Sequence, residues 1–342
     1  MTIKDIAQRA GYAVGTVSRV LNGHPDVSDE ARAKILAVVA ETGFQPNDNA
    51  RHLKQRESSS IAVIVKGARN LLFAGILEEV QSRVRAAGRA AAVYYLDEDD
   101  DEVEQAVRVC RELKPLGILF LGGNQNNFAD RFERVTCPCV LVTTRADTMG
   151  FQNLSSVSTD DAEGAAQAIR RLIEAGHRRI GVIGGHFCAG CGRGGANTSQ
   201  TRFFGCRRGF LEAGVPFDEE LQFQAARFSM PGGYEAANAL LERCPDLTAL
   251  FAMSDVMAIG ALRAIRDRGL RVPEDISLIG YDGIEQAGYC VPRLATVRQR
   301  SGRLARRSVE ILLRQAAGGG GAVHEIVPFQ LLPGESIRDL NE

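Results

Sequence analysis

The 342-residue sequence has no apolar run long enough to cross a bilayer, which argues against a helical membrane protein. Its first turns carry Lys4, Asp5 and Arg9, a pattern typical neither of a secretory signal nor of a transit peptide. Apolar and charged residues make up 45% and 24% of the chain, as in soluble globular proteins. We therefore expect a cytoplasmic protein of two or three domains, without membrane contact.

The sequence also has no excess of basic over acidic residues beyond one charge in its amino-terminal part. Residues 1–57 hold eight Lys and Arg against seven Asp and Glu, and the net charge of the whole chain is −1. Charge alone therefore does not indicate a nucleic-acid-binding protein. An argument for DNA binding has to come from a motif.

The residues of common enzyme mechanisms do not form a recognisable pattern. There is no nucleophilic Ser, His and Asp arrangement, and no phosphate-binding glycine motif ahead of a Lys. Cys188 and Cys191 lie near His186 in a glycine-rich segment, but no second Cys or His pair follows at zinc spacing. We therefore expect that the protein is not an enzyme and binds neither a cofactor nor a metal ion. We interpret the glycine-rich segment as a mobile loop beside a ligand site.

The amino-terminal residues have the pattern of a helix-turn-helix. Thr2 and Asp5 have the spacing of a capping box, and Gly11 allows a tight turn. Apolar residues recur at helical spacing on both sides of that turn: Ile6, Ala7, Ala10, Val17, Val20 and Leu21. Outward hydroxyl and Arg side chains on the second helix suit phosphates and base edges.

Residues 5–22 resemble the signature D-[IV]-A-x-x-A-G-[VY]-[SA]-x-x-T-V-S-R-V-[LV]-N of the LacI–GalR family of bacterial transcriptional regulators. The resemblance extends through nearly all of the chain. It implies these DNA-contacting residues: Thr2, Lys4, Ala13, Val14, Gly15, Thr16, Ser18, Arg19, Asn22 and Ser28. Ala13 replaces the usual Ser before the recognition helix, which removes an N-cap hydroxyl. The side chains of Val14 and Gly15 cannot hydrogen-bond a base.

Residues 46–56 form a polar linker, which by composition alone is a flexible tether. The family resemblance implies instead a hinge helix that pairs with its twin in the minor groove. Asn47 and Ala50 would then contact DNA, and Leu53 would insert between base pairs, bending the duplex. With this hinge the DNA-binding domain spans residues 1–57.

From Ser60 onward, apolar runs alternate with amphipathic segments of helix length. The runs include 61–65, 116–121, 140–143, 180–183, 249–253 and 276–280, and the segments include 73–87, 101–113, 161–175, 233–242, 255–268 and 301–315. This rhythm predicts an α/β fold with doubly wound parallel sheets. The run 325–332 predicts a last strand, and the acidic run 97–102 a solvated helix start.

The resemblance implies that residues 58–342 form a two-lobed core like that of periplasmic binding proteins. We expect the first lobe at 58–157 and 285–317, and the second at 158–284 and 318–342. Ligands of open parallel sheets bind beyond the carboxyl ends of the strands, here in the cleft between lobes.

The resemblance also implies an effector site made of Asn70, Leu72, Phe73, Thr143, Arg202, Phe228, Ser254, Asp255, Asp282 and Gln299. A guanidinium and a carboxylate suit hydroxyl, phosphate or carboxylate groups. By the residues alone, Arg202 and Asp282 are better explained as ordinary loop residues or members of a structural ion pair than as ligand contacts. Ser254 replaces an Asn common in the family, so Asp255 either contacts the ligand or caps a helix.

Together these expectations describe a homodimeric repressor that binds a palindromic double-stranded operator and responds to a sugar or sugar phosphate. No leucine heptad follows the last strand, so a dimer is expected rather than a tetramer. The alternatives are a global catabolite-type regulator controlled by a protein partner such as a phosphocarrier, and a ligand-binding core whose DNA module has lost specificity.

Overall fold

The computed structural model describes residues 3–21, 26–42, 60–67, 69–186 and 197–341. Internal contacts divide the chain into a small unit, residues 1–58, and a large unit, residues 59–342. Within the described ranges, no helix is long and apolar enough to cross a membrane.

The small unit is a helix-turn-helix followed by a third helix, as predicted. Its helices are α1 (Ile3–Ala10), α2 (Val14–Leu21) and α3 (Asp29–Thr42). Each helix contributes a fully buried residue to a single core: Ile6 from α1, Val17 from α2 and Ile35 from α3. Gly11 has φ +73°, a left-handed conformation that turns the chain between α1 and α2 at little steric cost for glycine.

The first lobe of the large unit is a parallel sheet with helices on both faces. Its strands are β1 (Ser60–Lys66), β2 (Ala90–Leu96), β3 (Gly117–Leu121), β4 (Cys139–Val142), β5 (Leu154–Ser158) and β11 (His324–Ile326). Its helices are α4 (Leu72–Ala86), α5 (Glu102–Glu112), α6 (Gln125–Arg131) and α12 (Ser301–Ala316), with a 3₁₀ turn at Phe132–Arg134. The strand order is β11-β5-β4-β3-β1-β2. Successive side chains of β1 point to opposite faces, so Val63 packs in the core with α4 and α12 while Ile64 packs in the core with α5.

The second lobe repeats this architecture. Its strands are β6 (Ile180–Gly184), β7 (Phe223–Ala225), β8 (Ala249–Ala252), β9 (Ser277–Asp282), β10 (Ala295–Arg298) and β12 (Gln330–Leu332), in the order β12-β10-β9-β8-β6-β7. Its helices are α7 (Asp161–Glu174), α8 (Thr198–Glu212), α9 (Glu219–Gln222), α10 (Met230–Arg243) and α11 (Asp255–Asp267), with a 3₁₀ turn at Glu285–Tyr289. All pairings are parallel except that of β12 with β10. The α/β prediction with doubly wound parallel sheets is therefore confirmed.

Close helix packing in the second lobe depends on glycine. A Cβ at Gly205 of α8 would lie 2.1 Å from the carbonyl oxygen of Ala162, and one at Gly233 of α10 would lie 2.1 Å from that of Met257. No side chain can be accommodated at those distances, so α7 and α8, and likewise α10 and α11, approach backbone to backbone.

The chain crosses between the lobes three times: after Ser158, after Arg298 and after Ile326. These crossings differ from the expected lobe limits at two places. β10 pairs with β9 in the second lobe, whereas residues 285–317 were assigned to the first. The run 325–332 is not one strand but two, β11 in the first sheet and β12 in the second. Pro328, which has no N–H to donate, separates them.

Candidate effector site and DNA-contacting residues

The carboxyl ends of both sheets face one cavity between the lobes, with a volume of about 410 Å³. This volume lies within the range of small-molecule sites. Eight of the ten residues expected to bind an effector line it: Asn70, Leu72, Phe73, Thr143, Arg202, Phe228, Asp282 and Gln299. The fold thus brings together residues from both lobes, and their contact with an effector stays a prediction.

Asp282, the last residue of β9, is held by three donors. Its Oδ1 accepts hydrogen bonds from Nε2 of Gln299 at 2.8 Å and from Nη2 of Arg202 at 3.3 Å. Its Oδ2 lies 3.5 Å from Nδ2 of Asn70, which belongs to the other lobe. The residue has φ +108°, a strained conformation of the kind found at ligand sites. Burial raises the pKa of Asp282 to about 6 although Arg202 opposes the shift, so the carboxylate is mostly ionised at neutral pH.

Arg202, on α8, is buried, and each of its three guanidinium nitrogens donates to the protein. Its Nε donates to Oδ1 of Asp161 at 2.8 Å, and its Nη1 donates to the carbonyl oxygen of Met253. The guanidinium carbon lies 3.7 Å from the centre of the Tyr281 ring, a stacked cation–π contact. Burial alone would lower the pKa of Arg202, but Asp161 and Asp282 raise it above its usual value. Arg202 is therefore always charged, and its geometry suits it to orienting Asp282.

The first lobe supplies the opposite wall of the cavity. Oδ1 of Asn70 accepts from the backbone N–H of Leu72 at the start of α4, which fixes the amide so that its Nδ2 points toward Asp282. Phe73 is packed over Gly122, where a Cβ would lie 2.8 Å from the ring. Thr143 follows β4 with φ +73°, so both lobes have a strained residue at a strand end that lines the cavity.

Ser254 and Asp255 do not line the cavity, contrary to expectation. Ser254 is the N-cap of α11, and its Oγ accepts from the backbone N–H of Met257 at 3.3 Å. Asp255 is fully buried below β9, where it accepts from Oγ1 of Thr296 at 2.7 Å and from the N–H of Ile284 at 2.9 Å. Both side chains are used to hold the backbone that presents Asp282. Burial, with a contribution from Asp282, raises the pKa of Asp255 to about 8.

A buried ion pair at the first lobe was not anticipated from the sequence. Lys66, which ends β1 and lines the cavity, donates to Oε2 of Glu102 at 2.7 Å. The Glu102 carboxylate is fully buried and also accepts from Nδ2 of Asn127 at 2.7 Å and from the backbone N–H of Asn124 at 2.5 Å. The expectation of a solvated run at 97–102 is therefore wrong for Glu102. Asp101 does cap α5, accepting from the N–H groups of the following turn.

The rest of the acidic run forms a cluster that joins the two lobes. Arg227 of the second lobe donates to Oε1 of Glu98 at 2.6 Å, to Oδ2 of Asp99 at 3.0 Å and to Asp97. Oε2 of Glu98 also accepts from the backbone N–H of Phe228 at 3.2 Å. We call these residues the Arg227 cluster. It spans the cavity mouth, and Phe228 continues from it into the cavity wall.

The expected DNA contacts fall in the small unit. Lys4, Ala13, Val14, Gly15 and Arg19 are exposed, and Thr16 and Ser18 are half-buried on α2. Ser28 caps α3, since its Oγ accepts from the N–H of Ala31 at 3.4 Å. Thr2, Asn22, Asn47, Ala50 and Leu53 lie outside the described residues, as does the whole predicted hinge, residues 46–56.

The glycine-rich segment with Cys188 and Cys191 also lies outside the described residues. In the ranges that the structure describes, no group of three or more His, Cys, Asp or Glu side chains is placed to hold a metal ion.

Comparison with known proteins covers both units. The model of "bacterial regulatory proteins, lacI family" matches residues 2–47, and that of a "periplasmic binding protein-like domain" matches residues 153–337. The transcriptional regulator MalR of Clostridium butyricum is 34% identical over 99% of this chain and 100% of its own. The chain belongs to the LacI family.

Other LacI-family relatives extend the comparison. The ribose operon repressor of Haemophilus influenzae is 32% identical over 92% of this chain and 91% of its own. The transcriptional regulator CelR, solved as a complex with cellobiose, superposes with a TM-score of 0.72 at 28% identity, over 98% of this chain and 99% of that one. The lac repressor dimer bound to operator has a TM-score of 0.77 at 24% identity, over 99% of each chain, a likeness of fold. This LacI-family member is accordingly a transcriptional regulator and not an enzyme.

Proposed function

We propose that this LacI-family regulator is a repressor of carbohydrate genes whose operator affinity is set by a sugar-like effector in the inter-lobe cavity. The observation that carries the proposal is the Asp282 carboxylate, presented by Arg202, Gln299 and Asn70 at the wall of that cavity. An oriented carboxylate accepts hydrogen bonds from neighbouring hydroxyl groups, and the rings of Phe73 and Phe228 offer apolar faces to a sugar ring. Among relatives, one is a ribose operon repressor and one was solved with cellobiose.

The DNA partner is a double-stranded operator, and α2 is the element that suits the major groove. Arg19 of α2 and Lys4 of α1 are exposed and offer cationic contacts to phosphates, while Val14 of α2, 38% exposed, suits the methyl group of a thymine. Repression would take place at the chromosome, in the cytoplasm. Because phosphate contacts release counterions, operator affinity should fall steeply as salt concentration rises.

The regulator acts as a homodimer, and we infer that an apolar surface of the second lobe is part of the contact. Val291 and Tyr289 are 91% and 79% exposed. Val291 borders a groove with Ile259 and Leu262 of α11. Isolated exposed apolar residues are common, but a contiguous group rimmed by Arg side chains is typical of a protein interface. A two-fold dimer would place two α2 helices on the halves of a palindrome.

Control by the effector follows from closure of the lobes. A ligand that bonds Asn70 on one lobe and Asp282 on the other stabilises the closed state, and only such differential binding shifts the equilibrium between states. The predicted hinge at residues 46–56 would transmit that shift to DNA.

Selection of binding sites from random duplex DNA by the full-length protein tests the proposal. We expect a palindrome with a deformable pyrimidine–purine step at its centre, and release of that DNA by an added carbohydrate. Enrichment of a palindrome whose affinity responds only to an added phosphocarrier protein would favour the catabolite-type alternative. Salt-sensitive binding without sequence preference would refute operator recognition.

A further inference from the structure

The cations that line the effector cavity in the described part of the chain are already bound to carboxylates of the protein. Among the described residues, Lys66 and Arg202 line the cavity, and Arg227 adjoins Phe228 at its mouth. Lys66 is bonded to Glu102, Arg202 to Asp161 and Asp282, and Arg227 to three acids of the Arg227 cluster. None of these three cations is left without a carboxylate partner.

Arg202 shows how complete this engagement is. Each of its three guanidinium nitrogens donates to the protein, to Asp161, Asp282 and the carbonyl of Met253. One face of the planar guanidinium is covered by the Tyr281 ring, and only 3% of the Arg202 side chain is exposed. Arg chelates a phosphate or carboxylate ligand through two parallel N–H groups, and here each of the three nitrogens already has an acceptor in the protein.

Carboxylates outnumber these cations around the cavity in the described part of the chain. The three cations face six acids: Asp97, Glu98, Asp99, Glu102, Asp161 and Asp282. Burial raises the pKa values of Asp161 and Asp282, yet protonation of one of them would still leave an excess of carboxylates.

Helix amino termini are the other anion-binding elements that reach the cavity, and a side chain already accepts from one N–H group at each of three of them. Asn124 caps α6 by accepting from the N–H of Asn126, and Asn197 caps α8 by accepting from that of Gln200 at 2.8 Å. Asn70 accepts from the N–H of Leu72 at the start of α4. Each cap occupies one of the donors that would otherwise be available to a phosphate.

We propose that the cavity selects an uncharged polyhydroxyl ligand and rejects sugar phosphates and sugar acids. The inference rests on the proposed function and deepens it, since that function alone admits a sugar phosphate. Hydroxyl groups of a neutral sugar can donate to Asp282 without a cation. An added anion would meet several carboxylates at short range, and the two cations among the described residues that line the cavity, Lys66 and Arg202, are already paired with carboxylates.

Matched ligand pairs test the selectivity with the full-length protein. Glucose and ribose are compared with glucose 6-phosphate, glucuronate and ribose 5-phosphate, and neutral disaccharides such as cellobiose and maltose complete the panel. Thermal denaturation identifies binders and calorimetry measures their dissociation constants. We expect at least one neutral sugar to bind, and any charged counterpart to bind on the order of a hundredfold more weakly at low salt. Equal or tighter binding of a phosphate ester or uronate would overturn the proposal.

A gain-of-function variant tests the charge argument directly. Glu102→Gln keeps the shape and the acceptor oxygen of this side chain but leaves the Lys66 ammonium without its carboxylate. We expect the ratio of dissociation constants between the charged and neutral members of a pair to shrink about tenfold. Glu104→Gln, an exposed change on the same helix, is the matched control and should leave the ratio unaltered. An unchanged ratio in a folded Glu102→Gln protein would contradict the role of the Lys66–Glu102 pair.

Failure of this inference can be told apart from failure of the proposed function. Operator selection needs no effector, so it judges DNA recognition by itself. A panel in which only charged sugars bind overturns the selectivity and leaves a sugar-responsive repressor. A panel in which no sugar binds removes both the selectivity and carbohydrate control, while operator binding stands or falls independently.

Discussion

Asp282→Asn should separate effector binding from folding. The substitution removes the charge but keeps an oxygen that can accept from Gln299 and Arg202. Arg202 would still have the carboxylate of Asp161 at 2.8 Å, so no cation is left buried without a partner. Because burial already raises the pKa of Asp282 to about 6, the wild-type protein bears a cost for this charge that the amide avoids. We expect a stability change of about 1 kcal/mol or less.

The effect on the effector should be larger. A hydrogen bond to a charged group contributes about 1.5–3 kcal/mol and one to a neutral group about 0.5–1.5 kcal/mol. If two hydroxyl groups bond to Asp282, their loss of charge assistance amounts to about 2–3 kcal/mol, or roughly a 30- to 140-fold rise in the dissociation constant.

Three measurements on the Asp282→Asn protein check this reasoning. Calorimetry gives the affinity for the neutral sugar, urea denaturation gives the free energy of unfolding, and fluorescence anisotropy gives the affinity for operator DNA. We expect operator binding like that of wild type, now insensitive to the sugar. An effector affinity within threefold of wild type, or a loss of stability as large as the loss of binding, would refute the assignment.

Three further substitutions probe the network around the cavity. Arg202→Met removes the cation between two buried carboxylates and should lower the free energy of unfolding by about 3–5 kcal/mol. The loss should be smaller at about pH 5 than at pH 8, because protonation of a carboxylate relieves the repulsion between the two. Urea denaturation at both pH values measures the difference. The pKa of Asp255, about 8, lies above its unfolded value near 4, so this carboxyl binds a proton on folding and its contribution to stability falls as pH rises through that window. The unfolding free energy of Asp255→Asn should therefore decline less than that of wild type from about pH 5 to pH 8, and superimposable profiles would count against the shift. Arg227→Met should speed dissociation of the sugar in stopped-flow measurements, with a difference from wild type that shrinks at high salt. Arg179→Met, at an exposed ion pair with Asp246 within the second lobe, should not.

The secondary structure of the core could be predicted because local patterns determine it. Buried parallel strands are continuous apolar runs such as Ile61–Val65, and glycines such as Gly88 and Gly176 end helices with the left-handed conformation expected of them. The incorrect prediction of a single strand at residues 325–332 also has a physical reason. Apolar character shows that a segment pairs, but not which of two sheets offers the open edge.

Some features of the candidate site could likewise be predicted from the sequence, and others could not. Eight effector residues could be placed in the cavity because the family resemblance carried them, and the fold brings them together. That Ser254 and Asp255 lie outside the cavity lining could not be predicted, because structural hydrogen bonding and ligand binding use the same oxygen atoms. The Arg227 cluster was missed because it pairs side chains about 130 positions apart in sequence. Only the signs of the charges, an acidic run and a lone Arg, hinted at it.

The brevity of the three crossings between the lobes limits how the lobes can move. Each connection is two or three residues long, residues 159–160, 299–300 and 327–329, and an extended residue spans at most about 3.6 Å. Such short connections prevent the lobes from separating, so we expect the lobes to rotate about the three connections as a hinge. Thr159 and Gln299, in two of the connections, are joined by a hydrogen bond of 3.1 Å, and Gln299 also lines the cavity. A ligand that contacts Gln299 therefore acts close to the hinge axis. A displacement of a fraction of an ångström there produces a much larger displacement at the part of each lobe farthest from the axis.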